Sequence, residues 1–203
     1  MSKKPIIVFE GIEGSGKSHH ILNVSKFLKK KKIDFIKIRE PGGNPNSEKI
    51  RKLILDKKSN FNKITDLFLY MAARSENIKI LKKYYRKKVI LIDRFLDSTI
   101  AYQHYGFDVD LKLIKIINNH LLRNFKIDYT FLNIVNKNNM IKRLKGRKYL
   151  NRYDRFDNKF YSNVQKGFLK IAKKNKKKYQ IIDSNLDIKS NEIQIIKTVE
   201  KLI

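Results

Sequence analysis

The chain has 203 residues, of which 41% are hydrophobic and 33% charged, a composition typical of a folded protein with a sizeable core and not of a disordered one. Its 47 basic and 19 acidic residues give a formal net charge of +28, and the absence of cysteine excludes disulfide bonds and thiolate chemistry. Neither a signal peptide nor a membrane-spanning stretch is recognisable. We therefore expect a single domain in the cytoplasm.

Five short apolar runs rich in Ile, Val and Phe predict buried parallel strands. Segments with helical spacing separate them, the first with Ile21, Val24, Phe27 and Leu28 on one face. This alternation predicts an α/β fold, in which a five-stranded parallel sheet is flanked by helices on both faces. The predicted strands are Ile6–Phe9, Phe35–Ile38, Val89–Ile92, Tyr129–Ile134 and Gln180–Ile182.

A glycine-rich segment follows the first strand and matches the P-loop pattern G-x-x-x-x-G-K-S. In that pattern the backbone N–H groups converge on phosphate oxygens at a helix N-terminus. Lys17 would reach the β- and γ-phosphates, and the Ser18 hydroxyl would ligate Mg²⁺. The motif predicts a P-loop NTPase fold and a site for ATP, formed by Gly11, Ile12, Glu13, Gly14, Ser15, Gly16, Lys17 and Ser18.

Charged side chains also follow the second and third strands. Arg39 opens the segment Arg-Glu-Pro-Gly-Gly, and Asp93-Arg94 comes directly after the third run. Ligands of open α/β sheets bind beyond the carboxyl ends of the strands, where these residues are expected. Transfer of a phosphoryl group between two polyanions needs dense positive charge around both of them. Arg39 is therefore predicted to hold a phosphorylated acceptor. Arg94 is predicted to contact both the acceptor phosphate and the γ-phosphoryl group that is transferred, and Asp93 to lie near Mg²⁺.

A basic cluster extends from Arg143 to Asp154. Only ten of the 47 basic residues are arginines, and three of those, Arg143, Arg147 and Arg152, fall within ten residues here. Either a solvated basic surface helix or a small mobile helical flap at about residues 143–155 would account for this cluster.

These motifs together resemble the signature set of bacterial thymidylate kinases, in order from about residue 5 to about residue 183. The resemblance is carried by Glu10-Gly11-Ile12-Glu13-Gly14, by Arg39-Glu40-Pro41-Gly42-Gly43, by Asp93-Arg94 with Ala101-Tyr102-Gln103, and by the basic cluster. It implies transfer of the γ-phosphoryl group of ATP to dTMP, with Mg²⁺ as cofactor. It also implies a homodimer, and no specific nucleic-acid or membrane partner.

The resemblance further implies a nucleoside pocket. In the family an aromatic ring covers the thymine and an arginine one turn later bonds it, positions that Tyr70 and Arg74 occupy here. Tyr102 would crowd the 2′ position of the sugar, and Glu13 would lie near the 3′-hydroxyl and the acceptor phosphate. The remaining residues expected at dTMP are Ser98, Gln103 and, as a weaker candidate, Arg51.

The basic cluster resembles the LID that closes over ATP in this family. Such kinases place a catalytic arginine either in the P-loop or in the LID, and the P-loop here has no basic residue between its fixed positions. The resemblance therefore implies that Arg147 or Arg152 supplies the charge.

Two alternatives remain open. The chain could be another P-loop kinase of a small acceptor, although two arginines aimed at the acceptor favour one that carries a phosphate. The charge of +28 could instead indicate a nucleic-acid-binding ATPase. That class needs a basic groove with interleaved aromatic stacking platforms, which the sequence does not display.

Overall fold

The computed structural model describes residues 3–146 and 151–203. Its single five-stranded sheet is entirely parallel, in the order β2-β3-β1-β4-β5. The predicted runs are confirmed as strands; four of them extend by a residue into the polar segment that follows, and the fifth strand also begins one residue earlier. The strands are β1 (Ile6–Glu10), β2 (Phe35–Arg39), β3 (Val89–Asp93), β4 (Tyr129–Ile134) and β5 (Tyr179–Asp183).

Eight α-helices connect and cover the strands within the described residues. Most begin at an Asn or Asp whose side chain accepts a hydrogen bond from the first turn, as Asn44 does from the backbone N–H of Ser47. The helices are α1 (Lys17–Lys30), α2 (Pro45–Leu55), α3 (Lys63–Tyr84), α4 (Leu96–Thr99), α5 (Leu111–Leu122), α6 (Lys137–Lys145), α7 (Asn158–Lys174) and α8 (Ile188–Leu202).

The central strand β1 is buried on both sides, which explains why it is apolar without alternation. Ile7 and Phe9 pack into a cluster with α1 and α8, whereas Ile6 and Val8 pack on the opposite face with residues of α3 and α5. The expected face of α1 contributes to the first cluster. The predicted arrangement of helices on both faces of the sheet is thereby confirmed.

Helix α4 continues into a π-helical segment, Ile100–Gly106. Its wider turn is visible in the hydrogen bond from the N–H of Phe107 to the carbonyl oxygen of Tyr102, five residues back. Helix α7 approaches this segment so closely that a Cβ on Gly106 would lie 2.7 Å from the Phe160 ring. The segment carries Tyr102 and Gln103, two of the residues expected at the nucleoside.

The expected LID lies partly outside the described residues. Arg143 and Lys145 belong to the last turn of α6, and a short 3₁₀ turn covers Tyr153–Arg155. Arg147 falls among residues 147–150, which the structure does not describe. Of the helices in the described part of the chain, none is long and apolar enough to cross a membrane.

Candidate active site

The P-loop joins β1 to α1 and is held by its own lysine. Gly11, Gly14 and Gly16 have φ values of 139°, 70° and 86°, which side chains with a Cβ rarely adopt. The Lys17 ammonium donates hydrogen bonds of 2.9 Å to the carbonyl oxygens of Gly11 and Ile12. The loop is therefore preformed around a buried cation at the N-terminus of α1.

Two oxygen-bearing side chains meet beside the P-loop. The Ser18 hydroxyl in the first turn of α1 donates to Asp93 Oδ2 at 3.5 Å. Asp93 ends β3, which pairs directly with β1, so the sheet register brings it next to the loop. The pair expected near Mg²⁺ is thus placed together.

Arg94 occupies the centre of the cleft. It has a left-handed φ of 63°, and its backbone N–H bonds to the carbonyl oxygen of Phe9. Its guanidinium donates to the carbonyl oxygen of Gly11 at 2.8 Å and forms an ion pair with Glu13 at 2.8 Å. The hydroxyl of Tyr102 donates to the same carboxylate. Arg94 therefore links the P-loop to the side of the cleft where an acceptor is expected.

The buried charged groups of the cleft shift one another's pKa values. Burial, followed by the nearby Arg94, lowers the pKa of Lys17 to about 7. Burial alone would raise the pKa of Glu13, but Arg94 and then Lys17 outweigh it and hold that pKa below its ordinary value. Perturbed groups that meet in one cleft are typical of an active site.

Glu10, at the end of β1, binds the residues that follow Arg94. Its buried carboxylate accepts hydrogen bonds from the backbone N–H groups of Phe95 at 2.8 Å and Ser98 at 3.1 Å, and from the Ser98 hydroxyl. Burial, and then the neighbouring Asp97, raises the pKa of Glu10 to about 7. The N-cap residue of α4, Phe95, has no side chain that can accept a hydrogen bond from the first turn. The Glu10 carboxylate accepts from backbone N–H groups there instead.

The acceptor side of the cleft gathers most of the residues expected at dTMP. Arg74 is buried, and Glu40 accepts from its Nε at 2.7 Å while Asn118 accepts from Nη1 at 2.5 Å. Tyr70 lies one turn earlier on α3. The expected residues that line the cleft are Glu13, Lys17, Ser18, Arg51, Tyr70, Arg74, Asp93, Arg94, Ser98, Tyr102 and Gln103.

Arg39 and Arg51, both expected at the acceptor, lie in different surroundings. Arg39 is half exposed and does not line the cleft, because the carboxylate of Glu48 accepts from its guanidinium at 2.9 and 3.1 Å. Arg51, the weaker candidate from sequence, does line the cleft and donates to the carbonyl oxygen of Pro41 at 2.7 Å. Burial lowers the pKa of Arg51.

Arg143 and Arg152, two of the arginines in the expected LID, also have protein partners. Arg143 donates to the carbonyl oxygens of Gly14 at 2.9 Å and Ser184 at 2.7 Å, against the P-loop. Arg152 forms an ion pair with Asp66 at 2.6 Å and does not line the cleft. This placement departs from the expected position of Arg152 near the transferred phosphoryl group.

Several cleft residues escaped the sequence analysis. Glu40 lies inside the Arg-Glu-Pro-Gly-Gly motif and Thr99 follows Ser98 directly, so their position in the sequence was a usable signal. Leu55 and Tyr153 come from α2 and from the LID, and only the tertiary fold brings them to the acceptor side.

The combination of a P-loop with a second pocket rich in arginine, built on a parallel sheet of order β2-β3-β1-β4-β5, defines a P-loop kinase of small phosphorylated acceptors. The two substrate regions open into one cleft at the carboxyl ends of β1 and β3, as transfer between two bound nucleotides requires.

A family model described as thymidylate kinase matches residues 9–195. Because that match covers most of the sequence, the chain belongs to the thymidylate kinase family, and it is an enzyme, a phosphotransferase. The family expected from the sequence is thereby confirmed.

Individual relatives agree with this membership. The chain is 35% identical over 202 residues to a thymidylate kinase of Mycoplasma capricolum, covering 97% of this chain and 95% of the relative. It is 30% identical over 199 residues to that of Caldanaerobacter subterraneus, with coverage of 97% and 95%. The crystal structure of thymidylate kinase from Ehrlichia chaffeensis superposes with a TM-score of 0.79 at 32% identity, covering 97% of this chain and 98% of that one.

Proposed function

We propose that this chain transfers the γ-phosphoryl group of ATP to dTMP, giving ADP and dTDP, and that its 203 residues act as one kinase domain. The observation that carries this proposal is the single cleft in which Lys17 and Ser18 of the P-loop face Arg94, Tyr70 and Arg74. Positioning and charge supply most of the catalysis in phosphoryl transfer, so this convergence of cationic groups is the chemistry that the reaction needs.

At the donor end, the P-loop binds the phosphates of ATP. Lys17 exchanges its two carbonyl partners for β- and γ-phosphate oxygens, and Arg143 lies against the loop from α6. Family kinases take a charge from the LID when the P-loop has none, and we assign that charge to Arg147.

The oxygen donors beside the loop fit Mg²⁺. Ser18 and Asp93 would hold the ion together with phosphate oxygens and water, as magnesium in kinases requires few protein ligands. When bound, Mg²⁺ neutralises developing charge on the β- and γ-phosphates.

At the acceptor end, Arg94 and Arg51 bind the phosphate of dTMP. Both arginines line the cleft. Arg94 also donates to Gly11 and Glu13 of the P-loop, so its guanidinium lies between the donor site and the acceptor site. Arg39 joins them only if it leaves Glu48.

The base pocket is formed by Tyr70 and Arg74 on α3, with Gln103 and Thr99 opposite. Glu40 accepts from Nε of Arg74 and pairs with its Nη2, and Asn118 accepts from Nη1, which fixes the guanidinium; the second N–H bond of each Nη atom would donate to the O4 of thymine. Tyr102, fixed by its hydrogen bond to Glu13, narrows the space at the sugar 2′ position.

A panel of acceptors tests this function. We expect kcat/KM to fall from dTMP to dUMP by about 10- to 200-fold, the value of one methyl group in an apolar pocket, and to dCMP by about 10⁴ or more, because its amino group opposes Arg74. Thymidine should not be phosphorylated, and single-stranded DNA should not stimulate ATP hydrolysis. Comparable turnover of dCMP and dTMP would contradict the assignment.

The role of Arg74 can be separated from its structural ion pair. Arg74→Ala should compress the gap between dUMP and dCMP while leaving the ratio of dTMP to dUMP nearly unchanged. Since that change also strands the buried carboxylate of Glu40, the double variant with Glu40→Gln and the single Glu40→Gln serve as controls. An undiminished gap in the double variant would remove Arg74 from base recognition.

A further inference from the structure

Helix α3 carries a stripe of three side chains along the acceptor side of the cleft. Asp66, Tyr70 and Arg74 are spaced four residues apart, so they share one face of the helix. Tyr70 and Arg74 line the cleft. Asp66, one turn before Tyr70, is a buried carboxylate at the N-terminal end of that stripe, and the proposed reaction gives it no role.

The partner of Asp66 comes from the LID. Nη2 of Arg152 lies 2.6 Å from both carboxylate oxygens of Asp66, and the Tyr153 hydroxyl donates to Oδ2 at 3.3 Å. The backbone N–H of Arg152 bonds to the carbonyl oxygen of Leu55 at the end of α2. Burial would lower the pKa of Arg152, but the hydrogen bond with Asp66 outweighs it and raises that pKa, which stabilises the charged guanidinium.

This ion pair fixes a wall of the cleft. Tyr153 follows Arg152 directly, is almost fully buried, and lines the acceptor side with its ring edge-on to Tyr70 and Tyr102. The hydroxyl of Tyr161 on α7 bonds to the Tyr153 carbonyl oxygen at 2.6 Å. Helix α7 therefore holds the backbone of Tyr153 through Tyr161. Asp66 holds the Tyr153 side chain directly, by accepting from its hydroxyl, and also holds the preceding residue, Arg152.

We propose that Asp66 and Arg152 are positioning residues, which act through each other to hold Tyr153 as a wall of the acceptor pocket. The charge of Arg152 then serves acceptor binding and not the transferred phosphoryl group. This inference rests on the proposed function and reassigns the catalytic role that the sequence suggested for Arg152.

Arg152→Gln separates the two roles, because it removes the charge from a partly exposed segment outside the core. The dissociation constant of dTMP, measured by calorimetry without ATP, should weaken by about 10- to 100-fold, the value of charge-assisted hydrogen bonds. The kcat at saturating dTMP and the KM for ATP should change less than about threefold. A fall in kcat of about 10³ with unchanged dTMP binding would instead make Arg152 catalytic and overturn the proposal.

A double-mutant cycle tests whether the two residues act through each other. Asp66→Asn should weaken dTMP binding as Arg152→Gln does, and the double variant should be no weaker than either single one. Additive effects would contradict the coupling. Should Asp66→Asn fail to fold, Arg152→Lys supplies the second comparison, since a single ammonium restores only part of the binding.

Arg123→Gln is the matched control, because that arginine is exposed just after the end of α5, is not among the residues that line the cleft, and should leave dTMP binding unchanged. Turnover of dTMP by the unmutated enzyme separates the two proposals. If the unmutated enzyme is active and Arg152→Gln binds dTMP normally, the positioning role alone is wrong. If the unmutated enzyme does not phosphorylate dTMP, the proposed function itself is wrong.

Discussion

At the scale of single residues, Lys17 connects the fold to the charge of its ligand. The lysine is buried among groups of both signs, and burial with Arg94 lowers its pKa to about 7. Phosphate oxygens would favour the ammonium form and raise that pKa again. Binding of ATP and the protonation of Lys17 are therefore linked.

We expect ATP binding at pH 8 to be accompanied by uptake of up to about one proton. Above pH 7 the free enzyme holds Lys17 mostly neutral, and the bound phosphates protonate it, so ATP affinity should fall as the pH rises beyond 7. Calorimetry in buffers of different ionisation enthalpy measures the uptake. It should vanish in Lys17→Met and persist in Lys26→Met, which alters an exposed lysine on the same helix. Equal uptake in both variants would contradict the link.

The site residues differ in how far the sequence could locate them. Ser18, Asp93 and Arg94 follow strands directly, so strand position and sheet register determine where they lie. Arg39 and Arg152 have long side chains whose direction depends on the carboxylates of Glu48 and Asp66, which no local pattern relates to them. Fold and family were therefore predictable, and are confirmed, whereas the individual site roles remain predictions.

At the scale of elements, the turn between β1 and α1 depends on glycine for space as well as for backbone conformation. A Cβ on Gly11 would overlap the carbonyl oxygen of Asn133 on β4, and φ at this residue is 139°. The P-loop is thus wedged against a neighbouring strand. The sequence motif predicts the loop but not this contact, because Asn133 lies about 120 residues later in the chain.

Gly11→Ala should therefore destabilise the fold by about 3 kcal/mol or more, from overlap and backbone strain together. In a protein of this size that corresponds to a fall in Tm of at least about 6 °C, measurable by circular dichroism. Gly146→Ala is the matched control, since Gly146 caps the C-terminus of α6 with φ of −77° and a Cβ there would make only ordinary contacts, the nearest at 3.7 Å to the carbonyl oxygen of Arg143. A Tm for Gly11→Ala within 2 °C of the unmutated protein would show that the loop can relax.

The π-helical segment is a second feature that the sequence pattern does not predict. Its residues read as an ordinary helix, and the extra residue per turn is associated with close packing against α7 at Gly106 and Gly167. A Cβ on Gly167 would lie 2.5 Å from the Tyr105 ring. Contacts between distant elements favour this geometry, and sequence periodicity alone does not register them.

At the scale of the whole molecule, α2 and α3 carry exposed apolar side chains. Leu53, Ile64 and Phe68 are 52%, 38% and 51% exposed, and Ile64 and Phe68 share one face of α3. Such a patch on packed neighbouring helices is typical of a surface that a second copy covers. The homodimer that the resemblance implies is therefore predicted to use this patch as its interface.

Phe68→Asp should convert the dimer to a monomer, because it places a charge in an apolar contact that a two-fold axis repeats. Sedimentation or light scattering measures the mass. Ile116→Asp, at a residue 67% exposed on α5, should remain dimeric. A monomeric unmutated protein, or a Phe68→Asp variant that stays dimeric, would refute this interface.

The aromatic wall of the acceptor pocket also gives the molecule a natural optical signal. The chain contains no tryptophan, so its ten tyrosines dominate the near-ultraviolet absorption and emission. Three of them, Tyr70, Tyr102 and Tyr153, stand ring to ring where the acceptor would enter. A nucleobase stacking among these rings would alter their emission and near-ultraviolet dichroism, so acceptor binding could be followed on the unlabelled protein without turnover.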